Sequence, residues 1–150
     1  MKNYLLKFLK ENNIDIVNKK VVLAVSGGVD SMSLLNCFLE LKEDIDFDIV
    51  VCHVNHNKRK ESIVEEEYIT SFCKDRGIMC FVKSIDFKDT KNFQEVARSK
   101  RYEFFYEVLE KVESNLLLFA HHLDDLAETI IMRIIRGTSL SGYSGFHKVS

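Results

Sequence analysis

The sequence predicts an α/β fold: a doubly wound, mainly parallel sheet with helices on both faces. Three observations carry that prediction. Short apolar, β-branched runs alternate with amphipathic stretches of helical period. The runs are uninterrupted by polar residues, as strands buried on both faces are. Three polar clusters follow such runs directly, which is where doubly wound sheets bind their ligands. At 150 residues, 46% hydrophobic and 29% charged, the chain suits one globular domain with a substantial core. A net charge of −2 excludes a bulk electrostatic pull toward nucleic acid, so any RNA contact must be local.

From the amino terminus, Leu5, Leu6, Phe8 and Leu9 fall at helical spacing between Tyr4 and Asn12 and predict an amphipathic helix packed against the sheet. Its charges interrupt the apolar periodicity, unlike the continuous apolar region of a signal peptide, and no apolar run approaches a membrane span. A cytoplasmic protein with no membrane partner is expected. Val21-Val22-Leu23-Ala24-Val25 is the first strand, and Met32, Leu34, Leu35, Phe38, Leu39 and Leu41 form the buried stripe of the helix after it. Phe47 to Val54 is the second strand and Asn55 to Lys60 a polar loop. A third helix begins near Glu61, and Gly77 suits its C-terminal cap. Ile78 to Val82 is the third strand, Phe93 to Val112 a long helix, and Asn115 to Ala120 the fourth strand. A further helix is expected to about Arg136, then a glycine- and serine-rich loop from Gly137 to Gly145. The chain stops at Ser150 with no closing strand, and a fragment of a longer protein is expected. Cys37, Cys52, Cys73 and Cys80 form no CxxC pair and lie mostly in apolar runs, which predicts core thiols rather than disulfides or metal ligands. The oligomeric state stays open, a homodimer included.

The chemistry concentrates at three places. Ser26-Gly27-Gly28-Val29-Asp30-Ser31 joins the first strand to a helix. Two glycines let the backbone turn sharply and approach a ligand, and the helix's first N–H groups and dipole favour a negative charge, so a phosphate fits there. A Walker loop would carry a Lys-Ser/Thr pair where Val29, Asp30 and Ser31 stand. The plain alternative is an ordinary turn capped by Ser26 or Asp30. At the end of the fourth strand come His121, His122, Asp124, Asp125 and Glu128. On a helix, Asp125 and Glu128 share a face and can bind Mg²⁺ or an ammonium, with Asp30 the other natural Mg²⁺ donor; acidic residues also simply favour a helix's first turn. The two histidines fit hydrogen bonding better than zinc ligation. Arg98 and Arg101, three apart, can clamp phosphates with planar, permanently charged groups, or form a solvated basic face. Lys58-Arg59-Lys60 and Arg133 with Arg136 admit the same two readings, with RNA phosphate as the sharper ligand.

The phosphate loop resembles that of the PP-loop ATP pyrophosphatase superfamily, with its adenine nucleotide alpha hydrolase-like fold. Combined with His53-Val54-Asn55-His56 and Arg59, the stretch from Asn92 to Tyr102, His121-His122-Leu123-Asp124-Asp125-Leu126-Ala127-Glu128-Thr129, and Arg133 through Gly137 to Phe146, the order and spacing are similar to the tRNA(Ile)-lysidine synthase family from about residue 20 to 146. Asn55, Asn57 and Lys58 depart from the His-Val-Asp-His-Gly-Leu-Arg pattern of many relatives. The resemblance implies that 1–150 is an ATP-binding N-terminal catalytic domain, normally followed by C-terminal tRNA-binding domains. It implies two steps at cytidine 34 of a tRNA(Ile) with a CAU anticodon: adenylation of the C2 oxygen by ATP with Mg²⁺, releasing pyrophosphate, then attack of free L-lysine, releasing AMP. In that scheme Ser26, Gly27, Gly28, Val29, Asp30 and Ser31 hold pyrophosphate, Asp30 places Mg²⁺, Arg98 and Arg101 neutralise the phosphates, and Asp125 and Glu128 hold lysine. A PP-loop tRNA thiolation enzyme would share the ATP loop but calls for cysteine pairs that the sequence lacks, a non-catalytic nucleotide-binding module would have lost the acidic and arginine clusters, and a general amide-forming ligase is compatible with the loop alone.

Overall fold

A computed structural model describes residues 2–55, 60–85, 93–121, 131–135 and 146–149. The elements are α1 (Lys2–Glu11), β1 (Lys20–Ala24), α2 (Val29–Leu41), β2 (Asp48–Asn55), α3 (Lys60–Asp75), β3 (Met79–Ser84), α4 (Phe93–Val112), β4 (Leu117–His121), β5 (Ile131–Ile135) and β6 (Phe146–Val149). One sheet orders them β3-β2-β1-β4-β5-β6. The four strands β3, β2, β1 and β4 are mutually parallel, while β5 and β6 run antiparallel.

The uninterrupted strand runs are explained by burial on both faces. In β1, Val21 and Leu23 join one apolar cluster and Val22 joins the other, and β2 and the fourth-strand region divide the same way, with Val51 and Leu118 on one side and Cys52 and Leu117 on the other. Helices α1, α2 and α3 supply Leu5, Phe8, Leu35, Phe38, Ile69 and Cys73 to the first cluster. Helix α4 supplies Tyr102, Phe105, Tyr106 and Leu109 to the second. The doubly wound fold follows, and β1 is its topological switch point, because the chain leaves β1 to β2 on one side and returns to β4 on the other. The crevice of such a sheet opens at the carboxyl end of β1, where the glycine pair lies.

Gly77 has φ +67°, and Ile78 donates to the Cys73 carbonyl at 2.8 Å, so it ends α3 as expected. All four cysteines are free thiols. Two expectations fail: β6 stands at Phe146–Val149, where no closing strand is expected, and a helix gives way to a strand before it. The helix foreseen up to Arg136 is replaced at 131–135 by β5, paired antiparallel with β4. Ile131, Ile134 and Ile135 are β-branched, and the open edge of β4 offers a full ladder of backbone partners, which outweighs a weak helical period.

Burial pushes the Cys52 thiol well above its ordinary value of 9.0. The unfolded chain therefore releases this proton near pH 9 while the folded chain keeps it, so the stability associated with Cys52 is present below pH 9 and is lost as pH rises beyond it. Urea unfolding between pH 7 and 10.5 is expected to show a falling midpoint, with a shallower fall in Cys52→Ala; equal slopes would mean that Cys52 ionises as readily folded as unfolded.

Candidate phosphate-binding site

The site grows from the switch point. The β1–β2 ladder continues one residue past β1, with the Val25 N–H donating to the Cys52 carbonyl at 2.8 Å. The chain then reverses through Gly27, at φ +92°, a conformation costly for any side chain. A Cβ on Gly27 would also stand 3.4 Å from Ile69 Cδ1 and 3.5 Å from Glu65 Cβ, so α3 closes this side of the loop. At Gly28 a Cβ would meet, among the described residues, Ser26 Oγ at 3.4 Å and nothing else within 4 Å. That open side is where a ligand can come close to the backbone.

Hydroxyls brace the loop from within. Ser31 Oγ donates to the Gly28 carbonyl at 3.2 Å and accepts from the Ser26 N–H at 3.1 Å. Its one proton is thereby used, so in its 3.0 Å contact with Ser26 Oγ the Ser26 hydroxyl donates. The Gly28 N–H in turn donates to Ser26 Oγ at 3.2 Å. Ser31 is 4% exposed and serves as an internal brace. Gly28 is the N-cap residue and has no side chain to cap α2, and the Ser26 hydroxyl accepts from the Gly28 N–H rather than from the first turn of α2. The first intrahelical bond is Met32 N–H to the Gly28 carbonyl at 3.0 Å, which leaves the N–H groups of Val29, Asp30 and Ser31 outside the helix's own ladder. Three donors outside the helix ladder, a dipole end and, among the described residues, an open Gly28 face fit a phosphate oxygen set.

The neighbouring strand contributes more than a loop. β2 runs through Asn55, so His53 and Asn55 are strand residues, 3% and 4% exposed. His53 Nδ1 lies 2.8 Å from the Val25 carbonyl. Asn55 Nδ2 donates to Glu66 Oε1 at 3.0 Å, and the Asn55 carbonyl accepts from Ile85. An aspartate at 55 would set two carboxylates against each other, whereas the amide supplies the donor that Glu66 accepts.

Arg98 and Arg101 lie in the first half of α4. The end of α4 is fastened to the start of β1, through Lys20 Nζ to the Val112 carbonyl at 3.1 Å and Ser114 Oγ to the Lys20 carbonyl at 2.7 Å. Helix and strand therefore run in opposite directions. Fourteen helical steps of 1.5 Å put Arg98 ~21 Å above Val112, and eleven put Arg101 ~16 Å above it, while the five strand steps from Lys20 to Val25 rise ~16 Å. Both arginines thus lie in the half of α4 farther from the start of β1. Their Cζ atoms stand 5.4 and 6.0 Å from the Tyr102 ring centre, so one buried ring steadies both cations.

Backbone and helix position are described for Val29 and Asp30, but not their side chains. His56 to Arg59, Asn92, the acidic cluster with His122, Asp124, Asp125 and Glu128, and the segment from Arg136 to Gly145 lie outside the described residues, and His121 is described as the last backbone position of β4. Residue-by-residue reading missed Glu65, Glu66, Ile69 and Tyr102. The spacing of 65, 69 and 73 along one face of α3, and of 98 and 102 along α4, was the available signal.

A family profile for the PP-loop domain matches residues 1–150. A tRNA(Ile)-lysidine synthase of Clostridioides difficile strain 630 is 39% identical over 146 residues, 93% of this chain and 32% of its own. One from Enterococcus faecalis is 42% identical over 137 residues, covering 91% and 30%, and one from Petrotoga mobilis is 42% identical over 144 residues, covering 93% and 46%. The chain thus spans about a third to under a half of the length of these relatives. The U34-tRNA thiolase NcsA from Methanococcus maripaludis, solved with its [4Fe-4S] cluster, superposes with a TM-score of 0.66 at 24% identity over 83% of this chain and 44% of that one, a likeness of fold alone. With a matching profile along its whole length and a glycine loop at the switch point of a doubly wound sheet, the chain belongs to the PP-loop domain family.

Proposed function

We propose that this chain is the ATP-binding catalytic domain of an enzyme that ligates L-lysine to C2 of cytidine 34 in a tRNA(Ile) with a CAU anticodon. The glycine loop at the switch point, with the first N–H groups of α2 outside the helix ladder, carries the nucleotide half of the reading. The printed names of relatives at 39% and 42% identity support the tRNA half. Recognition of tRNA is proposed for the whole protein, whose relatives are longer than this chain.

The first step needs a leaving group stabilised and a poor electrophile improved. The C2 carbonyl oxygen attacks the α-phosphorus of ATP and the bond to the β-phosphate breaks. The N–H groups of Val29, Asp30 and Ser31, with Gly28 allowing close approach, hold the departing pyrophosphate, and Arg98 and Arg101 offset its growing charge. The Asp30 carboxylate would hold Mg²⁺, which supplies charge neutralisation on the phosphates. In the second step lysine, its ε-ammonium having released one proton to solvent, attacks C2 through the neutral amine; AMP departs with the former carbonyl oxygen, and the attacking nitrogen sheds a second proton to solvent. Asp125 and Glu128 are assigned to hold the lysine, selecting a cation of the right length.

The test uses the full-length protein with ATP, Mg²⁺, radiolabelled lysine and a CAU-anticodon transcript, following label on the RNA and pyrophosphate release together. Lysine-dependent labelling that disappears when cytidine 34 is replaced is expected. Pyrophosphate release without label would redirect the reading to another nucleophile, such as activated sulfur. Asp125→Ala is expected to lower lysine transfer at least 100-fold, on the order of the ~3 kcal/mol lost with a buried charge partner, while ATP binding changes little; parallel loss of both would overturn the role given to Asp125.

A further inference from the structure

We propose that His53 is a positioning residue of the phosphate loop, acting through the peptide group between Val25 and Ser26; the proposal rests on the anion-binding reading of that loop. His53 sits in β2, 3% exposed, and its ring reaches across to the chain leaving β1. A carbonyl oxygen can only accept, so at 2.8 Å from the Val25 oxygen His53 Nδ1 must carry a hydrogen. Histidine is thereby fixed with Nδ1–H, in its neutral or its charged form alike.

The other end of the same peptide group is also held. Its N–H, that of Ser26, donates to Ser31 Oγ at 3.1 Å, and Ser31 Oγ donates onward to the Gly28 carbonyl at 3.2 Å. One continuous series of hydrogen bonds therefore links the His53 ring in β2, the 25–26 peptide at the end of β1, and the first turn of α2. Each bond polarises the next, because a carbonyl that accepts makes its own peptide N–H a better donor. The plane of the 25–26 peptide sets the direction in which the chain enters Gly27, at φ +92°, and hence where the free N–H groups of Val29 to Ser31 aim. Neighbouring bonds do not duplicate the clamp. The Val25 N–H is held by the Cys52 carbonyl, but that group belongs to the preceding peptide, so the 25–26 plane rests on the Ser26 N–H at one end and on His53 at the other.

Two variants separate a hydrogen-bond role from mere filling of space. His53→Asn keeps an N–H donor near the place of Nδ1, and His53→Leu fills the site without one. Calorimetric titration with ATP and with inorganic pyrophosphate, on the full chain, is expected to give His53→Leu a Kd raised about tenfold or more, a difference of ~1.4 kcal/mol, and His53→Asn a Kd within about threefold of the unaltered protein, or ~0.7 kcal/mol. Equal affinity for all three, or equal weakening of both variants, would overturn the proposal. Failure of the unaltered protein to bind either ligand would instead sink the phosphate-loop reading beneath it. Nitrogen-15 spectra of the histidine rings provide a measurement that needs no variant: His53 is expected as the Nδ1–H form, with a shift on adding pyrophosphate. An Nε2–H form, or a ring signal indifferent to pyrophosphate, would overturn the proposal even if His53→Leu does not fold.

Discussion

Gly27→Val is expected to abolish measurable ATP binding while leaving most of the fold intact. Two effects act together at this position. A β-branched residue at φ +92° is strained by about 1–3 kcal/mol, and its Cβ would already touch Ile69 Cδ1 at 3.4 Å, leaving two further methyl carbons to place around that contact. The loop can relieve both only by rotating the peptides that aim the N–H groups of α2. Affinity for ATP should therefore fall well over tenfold, equivalent to more than ~1.4 kcal/mol, with a smaller loss in Gly27→Ala. Titration of both variants beside circular dichroism checks this. A folded Gly27→Val that binds ATP within about threefold of the unaltered protein, or ~0.7 kcal/mol, would show that the loop geometry does not serve a phosphate.

The largest effect on stability is expected at Phe38. This side chain is fully buried in the cluster beneath α2 and meets the Phe47 ring edge-on, with centres 6.1 Å apart and planes at 74°. Phe38→Ala removes the transfer free energy of a large ring and leaves a cavity in that cluster, beside Phe47, a loss of about 3–5 kcal/mol. For a chain of this size the melting midpoint should drop by on the order of 10 °C. Nucleotide affinity measured well below that midpoint should stay close to normal, since Phe38 lies in the later half of α2, away from the N–H groups at its start. A drop under about 3 °C, which corresponds to roughly 1 kcal/mol, would mean that the surrounding side chains collapse into the space. The two variants thus separate loop geometry from core packing: one should lose ligand without much stability, the other stability without ligand.

Much of the architecture was legible along the chain because it depends on near neighbours. Helix α4 spans Phe93–Val112, the limits its residue pattern predicts. The strand runs are apolar without alternation because both faces are covered, and Gly77 ends α3 because a positive φ is cheap only there. The glycine loop was legible for the same reason, since its conformation is local. The helix expected up to Arg136 was misread at 131–135, where strand formation depends on the free edge of β4, a partner that no window of sequence contains.

Composition, periodicity and the glycine motif determined the α/β class, the order of elements through β4, the core thiols and a glycine loop of non-Walker type after β1. Only the tertiary structure decided what holds that loop. The register that pairs Ala24 with Cys52 sets the His53 ring beside the Val25 carbonyl. The docking of α3 puts Ile69 and Glu65 against Gly27, and the bond from Lys20 to Val112 sets the end of α4 at the start of β1. A residue's backbone preference is set by atoms within a few positions of it, so sequence reports it directly. A hydrogen bond between His53 and Val25 joins residues 28 apart and exists only once two strands have chosen their register.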